Sequence, residues 1–511
     1  MVLGGPRGGW HSGGRSSTPG GRPWAWKRFN GVEAIRGWPW RSGCMVRRIV
    51  IVGAGCGGGT AAQFARKTDR QAEIVMIERE LYPQYSRCGL PYGISGVIPE
   101  LTNLIEAPEE RLKKNRIGLM LGASVTSVDH AAKVVHVARA DGSKEGLQYD
   151  SLVLATGAKA WVPPIKGAFK EGSQGELKEG VFVLRTIDDA RGIQRLSTKG
   201  KRAVVVGAGL VGLEVAEALM VRGCKVTIIE YLPSCILAMV DEDMGQMMAD
   251  AIRKHDVKMF TEYEVTEILG DQRANCVVAV DRKTKEERTF YADVIVIATG
   301  QRGETELAKQ VGCDVGQTRQ IVVDDRCETC VKDVYAVGDC TEYPELITGK
   351  PTVSGLGTIA VKMAMVAGVN AAGGDEHLPK GFLQTRATEP FGCQVAAVGP
   401  TTPQLEAAGI KPLVGKVRGF TLPDYFPGRK EIYVKVLAHP ETGKILGAQI
   451  VGEGRVHMRV NAFAVGIMAG MTIHEFAKLE TAYCPPAAPT MDVITIACEA
   501  ARLKMARATP G

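Results

Sequence analysis

Cys88 stands alone in Tyr85-SRCGLPYGISG-Val97, with Arg87 before it, a Gly-Leu-Pro turn after it, and Gly93 five positions on where a second cysteine could have stood. A solitary thiol cannot close a disulfide with a near neighbour, so its oxidised form is a mixed disulfide, a persulfide or a sulfenic acid. Two turns of G-x-G-x-x-G spacing accompany it. Gly53, Gly55 and Gly58 lie in Arg48-IVIVGAGCGGGTAAQFARK-Thr68, and Gly207, Gly209 and Gly212 lie in Lys201-RAVVVGAGLVGLEVAEALMVRG-Cys224. In such a turn the first glycine permits the tight bend, the second lets a pyrophosphate approach the backbone, and the third lets helix and strand pack closely. The helix N-terminus behind the turn offers unpaired N–H groups and partial positive charge to phosphates. Each unit closes on a strand ending in an acid, Glu78 and Glu230, placed to accept from ribose hydroxyls. An acid at 230 repels a 2′-phosphate and no Arg or Lys occurs from Tyr231 to Glu242, which favours NADH over NADPH.

The elements that position these residues follow from the pattern. Each unit reads as apolar strand, glycine turn, amphipathic helix and second strand. Ser151-LVLATGA-Lys159 and Asp293-VIVIATG-Gln301 read as buried parallel strands whose Ala-Thr-Gly tails turn tightly, at Thr156 and Gly157 and at Gly300. Lys332-DVYAVGDC-Thr341 puts Asp339, after Gly338, at the C-terminal end of a strand, where doubly wound sheets bind ligands. Beyond residue 380 the pattern changes to strands and helices, with a hairpin at Lys430-EIYVKVLA-His439 and Lys444-ILGAQIV-Gly452 and a helix near 456–471.

Length and charge narrow the class. The 511 residues suit about three domains, and thirteen cysteines are too sparse for a stapled secreted fold. No apolar run is long enough to span a membrane, so a soluble chain is expected. Residues 1–44 hold seven Arg/Lys and one acid, Glu33, so nearly all of the net +7 lies there. The body carries no electrostatic footprint for nucleic acid. That stretch also holds five of the six tryptophans and little aliphatic periodicity, and it is expected to be a disordered or untranslated leader, with the chain proper starting at Met45. An organellar leader is the rival. Arg47-Arg48 runs directly into a strand and a glycine loop, which argues against export and for a cytoplasmic place.

Together the first fingerprint, the two Ala-Thr-Gly strands and Thr329-CVKDVYAVGD-Cys340 resemble the FAD-dependent pyridine nucleotide–disulfide oxidoreductases, over about residues 45–505. Leu184-RTIDDA-Arg191 and Ile236-LAMVDEDM-Gly245 extend the likeness. The resemblance implies FAD at the first turn, with Arg79 beside Glu78 and with Asp339 on the ribityl chain. It implies NADH at the second turn, with Glu214 near the nicotinamide. The implied fold is α/β: two Rossmann-like domains, each three-layered around a parallel sheet, plus an α+β C-terminal dimerisation domain. The FAD-binding domain is expected at 45–165 and 293–379, the NAD-binding domain at 166–292, and the dimerisation domain of a homodimer at 380–511.

Cys88 and the Gly-Leu-Pro-Tyr after it resemble the single-cysteine branch: coenzyme A-disulfide reductases, NADH oxidases, peroxidases and persulfide reductases. Oxidases and peroxidases of that branch carry a histidine inside the first turn, where this chain has Cys56. Asp424-YFPG-Arg429 and Ala482-YCPP-Ala487 match segments that supply tyrosines across the dimer, implying Tyr425 and Tyr483 as proton donors to a departing thiolate. Thr60 and Lys67 fall at coenzyme A contacts of the family. Arg87 replaces the family's asparagine, and Phe64 another polar contact, which leaves the thiol ligand open. Cys56, at a helix N-terminus that lowers a thiol's pKa, is a candidate resolving thiol, and Cys484 is a second. Cys327 and Cys330 read as structural, and no histidine set forms a metal site. The expected activity is NADH-dependent reduction of a low-molecular-weight disulfide or persulfide. An NADH oxidase or peroxidase, an electron-entry subunit and a flavin-binding redox sensor are the alternatives.

Overall fold

Ile49 and Ile51 turn to one side of the first strand and Val50 and Val52 to the other, and all four are buried. A strand covered on both faces is the mark of a parallel sheet between two layers. The computed structural model describes residues 46–508 apart from Gln174 and Ser354; the leader expected at 1–44 lies outside the described residues. In chain order the elements that carry the site are β1 (Arg48–Val52), α1 (Cys56–Thr68), β2 (Glu73–Glu78), α2 (Leu90–Ser95), β3 (Ile117–Leu121) and β4 (Ser151–Leu154). Then come β5 (Val181–Phe182), α3 (Ile187–Leu196), β6 (Arg202–Val206), α4 (Leu210–Val221), β7 (Lys225–Ile229), β8 (Val257–Phe260), β9 (Val294–Ile297), β10 (Val334–Ala336) and α5 (Gly357–Ala371).

They form two five-stranded parallel sheets, ordered β10-β4-β1-β2-β3 and β8-β7-β6-β9-β5. In each sheet the strand before the glycine turn has a partner on both sides. Val52 is in register with Leu154, and Val206 with Ile297. The crevice for a ligand opens at these adjoining strand ends. Antiparallel meanders cover the second face of each sheet: Val135 and Val137 pack with Val50 and Val52, and Val277 and Phe290 with Val204 and Val206. On the first face, α1 and α5 cross so closely that a Cβ at Gly368 would come 2.4 Å from the Ala61 carbonyl oxygen.

The C-terminal part is built chiefly from β11 (Arg386–Thr388), β12 (Gln394–Val398), β13 (Leu413–Phe420), β14 (Glu431–Ala438), β15 (Ile445–Gly452), α6 (Val456–Met468) and α7 (Val493–Ala508). Their sheet is antiparallel, ordered β11-β12-β15-β14-β13, and β14 and β15 are the expected hairpin. Helix α6 stops at Met468, three residues earlier than its apolar pattern suggested. Gly470 turns left-handed, its N–H bonds the Ile467 carbonyl, and the Met471 N–H bonds that of Gly466. These two bonds close the helix. A buried ion pair fastens this sheet to the part before it: Lys435 Nζ lies 2.7 Å from Asp241 and 2.8 Å from Asp243. Among the described residues no helix is long and apolar enough to cross a membrane.

The α1–α5 crossing leaves no room for a methyl group. Gly368→Ala gains about 1 kcal/mol of helix propensity but drives its Cβ into the Ala61 backbone, so a net loss of about 1–2 kcal/mol is expected. Differential scanning calorimetry checks it through a lowered thermal midpoint.

Candidate active site

The two fingerprints share one geometry. Gly53 and Gly207 have φ of +98° and +104°, and a Cβ on either would strike the neighbouring strand's Ala155 or Ala298 carbonyl. A Cβ at Gly58 would sit 1.8 Å from the Gly53 oxygen, and one at Gly212 2.1 Å from the Gly207 oxygen. Gly55 and Gly209 differ: a Cβ at either would meet nothing within 4 Å. Both are helix N-caps without a side-chain cap bond, and neither helix has an acid in its first turn. Open space facing uncapped N–H groups is the cradle a pyrophosphate fits. Glu78 accepts from the Ala54 N–H at 2.8 Å and the Glu80 N–H at 3.0 Å. That uses two of about four acceptor positions on its carboxylate. Glu230 does the same with the Ala208 and Leu232 N–H groups, and burial pushes its carboxyl above the usual range.

The first turn opens into a cavity of about 850 Å³. Its wall includes Gly53, Gly55, Glu78, Arg79, Thr156, Gly157, Gly338 and Asp339, and also Cys56, Arg87 and Cys88. Thus residues expected to hold a flavin dinucleotide and the expected redox thiol line one space. Thr156 Oγ1 donates to the Glu304 carbonyl at 2.7 Å, and Arg79 pairs with the Glu304 carboxylate at 3.3 Å. The wide cavity, the open glycine face and the strand-end aspartate together fit FAD.

Cys88 sits in a tight turn, Arg87–Gly89, that runs straight into α2. Cβ atoms at Gly89 and Gly93 would come 2.2 Å and 2.4 Å from Leu104 and Leu101, so a second cysteine at 93 would displace Leu101. Arg87 anchors the turn. Its guanidinium meets Glu80 at 2.7 Å, the Tyr85 hydroxyl at 3.0 Å and the Arg185 carbonyl at 2.7 Å. The thiol of Cys88 is exposed at the cavity, yet desolvation by its surroundings pushes its pKa up, and the charges of Glu214 and Asp339 push it further while Arg185 opposes them. Arg185 Nη2 also pairs with Asp339 at 3.0 Å. Glu214 receives a hydrogen bond from Thr388 Oγ1 at 2.9 Å, and its own carboxyl is raised by burial. Cys56 departs from the helix-terminus expectation. Burial, Asp339 and Cys88 raise its thiol, with only the Gly57 N–H and Arg87 pulling down.

Other sequence candidates fall elsewhere. Tyr425 and Tyr483 come together, hydroxyl to hydroxyl at 2.7 Å, and both are exposed. Thr60 and Lys67 lie on α1 and are not among the residues that line the cavity; the Lys67 ammonium rests 4.1 Å above the Phe64 ring. Gly300, with φ of +113°, accepts from the Trp161 N–H at 2.9 Å beside the second turn. Sequence reading missed Arg185, Glu304 and Tyr92 as site residues. Arg185 lies inside the Leu184-RTIDDA-Arg191 motif, which was the available signal. Tyr92, whose phenol is raised by burial, Glu214 and Glu217, follows the redox turn.

The fold and site define an oxidoreductase built on two dinucleotide turns with a thiol between them. Pyridine nucleotide-disulphide oxidoreductase is the family description that matches residues 47–352, and that family's dimerisation domain matches residues 390–493. The chain belongs to this family, whose members use FAD and NAD(P)H. It is 33% identical to an NADH oxidase of Methanocaldococcus jannaschii, over 90% of this chain and 99% of that one. It is 31% identical to an NAD(P)H coenzyme A polysulfide/persulfide reductase of Pyrococcus horikoshii, over 88% of this chain and 98% of the other. The solved structure of an NAD-dependent persulfide reductase from A. fulgidus superposes with a TM-score of 0.84 at 33% identity, covering 90% of this chain and 84% of that chain.

The charges around Cys88 give opposed expectations. Glu214→Gln removes a carboxylate that raises the thiol, so the midpoint for its ionisation moves to lower pH. Arg185→Gln removes the opposing cation and frees Asp339, so the midpoint moves to higher pH. The pH profile of Cys88 alkylation by iodoacetamide, followed by peptide mass spectrometry, checks both signs.

Proposed function

We propose that this chain is an NADH-dependent flavoprotein that reduces a low-molecular-weight disulfide or persulfide through Cys88. The observation that carries the reading is the shared cavity, whose lining joins the first glycine turn and Asp339 to the exposed thiol of Cys88. Supporting it, the relatives named above include a polysulfide/persulfide reductase and a persulfide reductase.

Bound FAD supplies a two-electron relay between reduced nicotinamide and sulfur; Gly53, Gly55, Gly58, Glu78, Arg79, Thr156, Gly157, Gly338 and Asp339 would hold it. Gly207, Gly209, Gly212, Glu214, Glu230 and Gly300 would hold the nicotinamide dinucleotide. The Cys88 thiolate attacks R–S–S–R, forming Cys88–S–S–R and releasing RS⁻, which takes a proton to become RSH. NADH and one proton then convert Cys88–S–S–R to Cys88–SH and a second RSH. Arg87, committed to Glu80 and Tyr85, positions the thiol's turn, and its remaining service to substrate is electrostatic. Thr60 and the exposed Lys67 suit the far, phosphate-bearing end of an extended thiol ligand.

Tyr483 and Tyr425 are proposed to act from the partner subunit of a homodimer as the proton source for the leaving sulfur. Their mutual hydrogen bond raises the Tyr425 phenol, which keeps it protonated and able to donate near neutral pH. Met458, Val465 and Met468 are exposed on one side of α6, an apolar stripe that suits a dimer contact. The reading also carries the domain limits given above, a cytoplasmic setting, and a small-molecule substrate. NADH oxidation by oxygen or peroxide is the second reading, favoured by the relative named NADH oxidase.

Cys88→Ser is expected to lower thiol release from disulfide or persulfide by about a thousandfold or more, while NADH still bleaches the flavin. Thiol titration beside anaerobic absorbance checks both. Undiminished thiol release in the variant overturns the role of Cys88, and NADH consumption with oxygen but no thiol release from any disulfide favours the second reading.

A further inference from the structure

We infer that Glu106 makes the cavity around Cys88 select its disulfide by charge. What the cavity admits is uncharged or cationic beside the sulfur–sulfur bond, and a compact anionic disulfide is turned away. The inference deepens the function proposed above and rests on reading Cys88 as the exchanging thiol.

The backbone fixes Glu106 beside the redox turn. Segments 84–86 and 104–107 run antiparallel: Tyr85 bridges Ile105, the Ser86 N–H donates to the Leu104 carbonyl at 2.9 Å, and the Glu106 N–H donates to the Gln84 carbonyl at 2.9 Å. Arg87 and Cys88 follow this pairing directly, and Glu106 and Cys88 both line the cavity. The carboxylate is held as well. Gln84 is buried, and its Nε2 donates to Glu106 Oε2 at 3.2 Å. Its Oε1 has no partner among the described residues and packs on Gly59, where a Cβ would come within 1.9 Å of it.

The two arginines at the redox turn are matched by acids, Arg87 by Glu80 at 2.7 Å and Arg185 by Asp339 at 3.0 Å. Glu106 is exposed and makes no ion pair among the described residues; Arg111 donates to its carbonyl at 3.4 Å, not to its carboxylate. Burial raises the carboxyl of Glu214, the other acid near the sulfur without an ion pair, toward its neutral form. The charge of Glu106 is felt at the sulfur: burial raises the Cys88 thiol, and Glu214, Asp339 and Glu106 raise it further against Arg185. A negative field that holds a proton on sulfur also lowers the local concentration of an incoming anion and raises that of a cation. Lys67, which suits a distant phosphate, lies outside this lining. A ligand with a neutral arm next to its sulfur and its charge far away therefore meets both conditions.

Methanethiosulfonates, which transfer RS to a thiolate and release methanesulfinate, test this without turnover. The holoenzyme is mixed at low salt with the neutral methyl, the cationic trimethylammonioethyl and the anionic sulfonatoethyl reagent, and labelling of Cys88 is timed by peptide mass spectrometry. The cationic-to-anionic rate ratio cancels the thiolate fraction, which is common to the reagents. Divided by the same ratio for free 2-mercaptoethanol, it should be about ten in wild type and fall about fivefold in Glu106→Gln. Glu106→Asp should keep most of it, and added salt should flatten it. With NADH, cystamine and bis(2-hydroxyethyl) disulfide should show kcat/KM about tenfold above that of 3,3′-dithiodipropionate, a gap that Glu106→Gln narrows. A Cys88 that none of the reagents labels, a normalised ratio of one or below, or a ratio that Glu106→Gln moves less than twofold overturns the inference. The expected reagent ratios with no turnover of any disulfide would count against the proposed function alone.

Discussion

Two backbone oxygens, those of Gly53 and Gly207, lie where the Cβ of residue 58 or 212 would otherwise be. That approach, helix against strand with no side chain between them, is the constraint on which the rest of the site depends. It brings the uncapped ends of α1 and α4 to the ends of β1 and β6, and it leaves the faces of Gly55 and Gly209 open to a phosphate. It also decides what else can stand nearby. Cys56 is carried into the cavity as the first residue of α1, and Ala155 and Ala298 are held against the turn by the neighbouring strands. A chain that lost this contact could keep its sheets and still lose the geometry that makes the cavity useful.

Against that frame the thiol is set by a second, more local arrangement. Glu80, Tyr85, Arg87 and the Arg185 carbonyl tie the turn of Cys88 to the segment entering α3, while glycines at 89 and 93 let it press on Leu101 and Leu104. The charges that reach the sulfur come from four separate stretches: Glu214 on α4, Asp339 after β10, Arg185 before α3 and Glu106 between α2 and β3. Asp339 and Arg185 neutralise each other in part, so the reactivity of Cys88 is coupled to whatever else engages Asp339.

Most of the architecture was legible in the sequence because it rests on short-range signals. Buried runs such as Ile49–Val52 and Val294–Ile297 admit little besides parallel strands, and the two glycine spacings fix the turns after them. The lone Cys88 was legible for the same reason. What could not be read is what tertiary packing assembles. Arg185 reaches Asp339 across 154 positions, and Thr388 reaches Glu214 across 174, distances over which no local pattern reports. Cys56 shows how a local rule can be overruled. Its helix position argues for an acidic thiol, but the same close packing that makes the turn buries the sulfur, and burial wins. The end of α6 was misjudged because apolar residues continue to Met471, while the chain has already turned left-handed at Gly470. The tyrosines at 425 and 483 were expected in one shared role, but their direct hydrogen bond to each other was not, since no spacing of 58 residues announces it.

The central claim is that Cys88 exchanges covalent partners with an incoming sulfur–sulfur bond. The most direct test is to mix the holoenzyme with substoichiometric coenzyme A disulfide in the absence of NADH, quench in acid and map the cysteines by peptide mass spectrometry. The account predicts one adduct, on Cys88, that disappears when NADH is added before the quench. An adduct confined to the other exposed thiols, Cys330 or Cys484, or an adduct on Cys88 that NADH leaves in place, would contradict it.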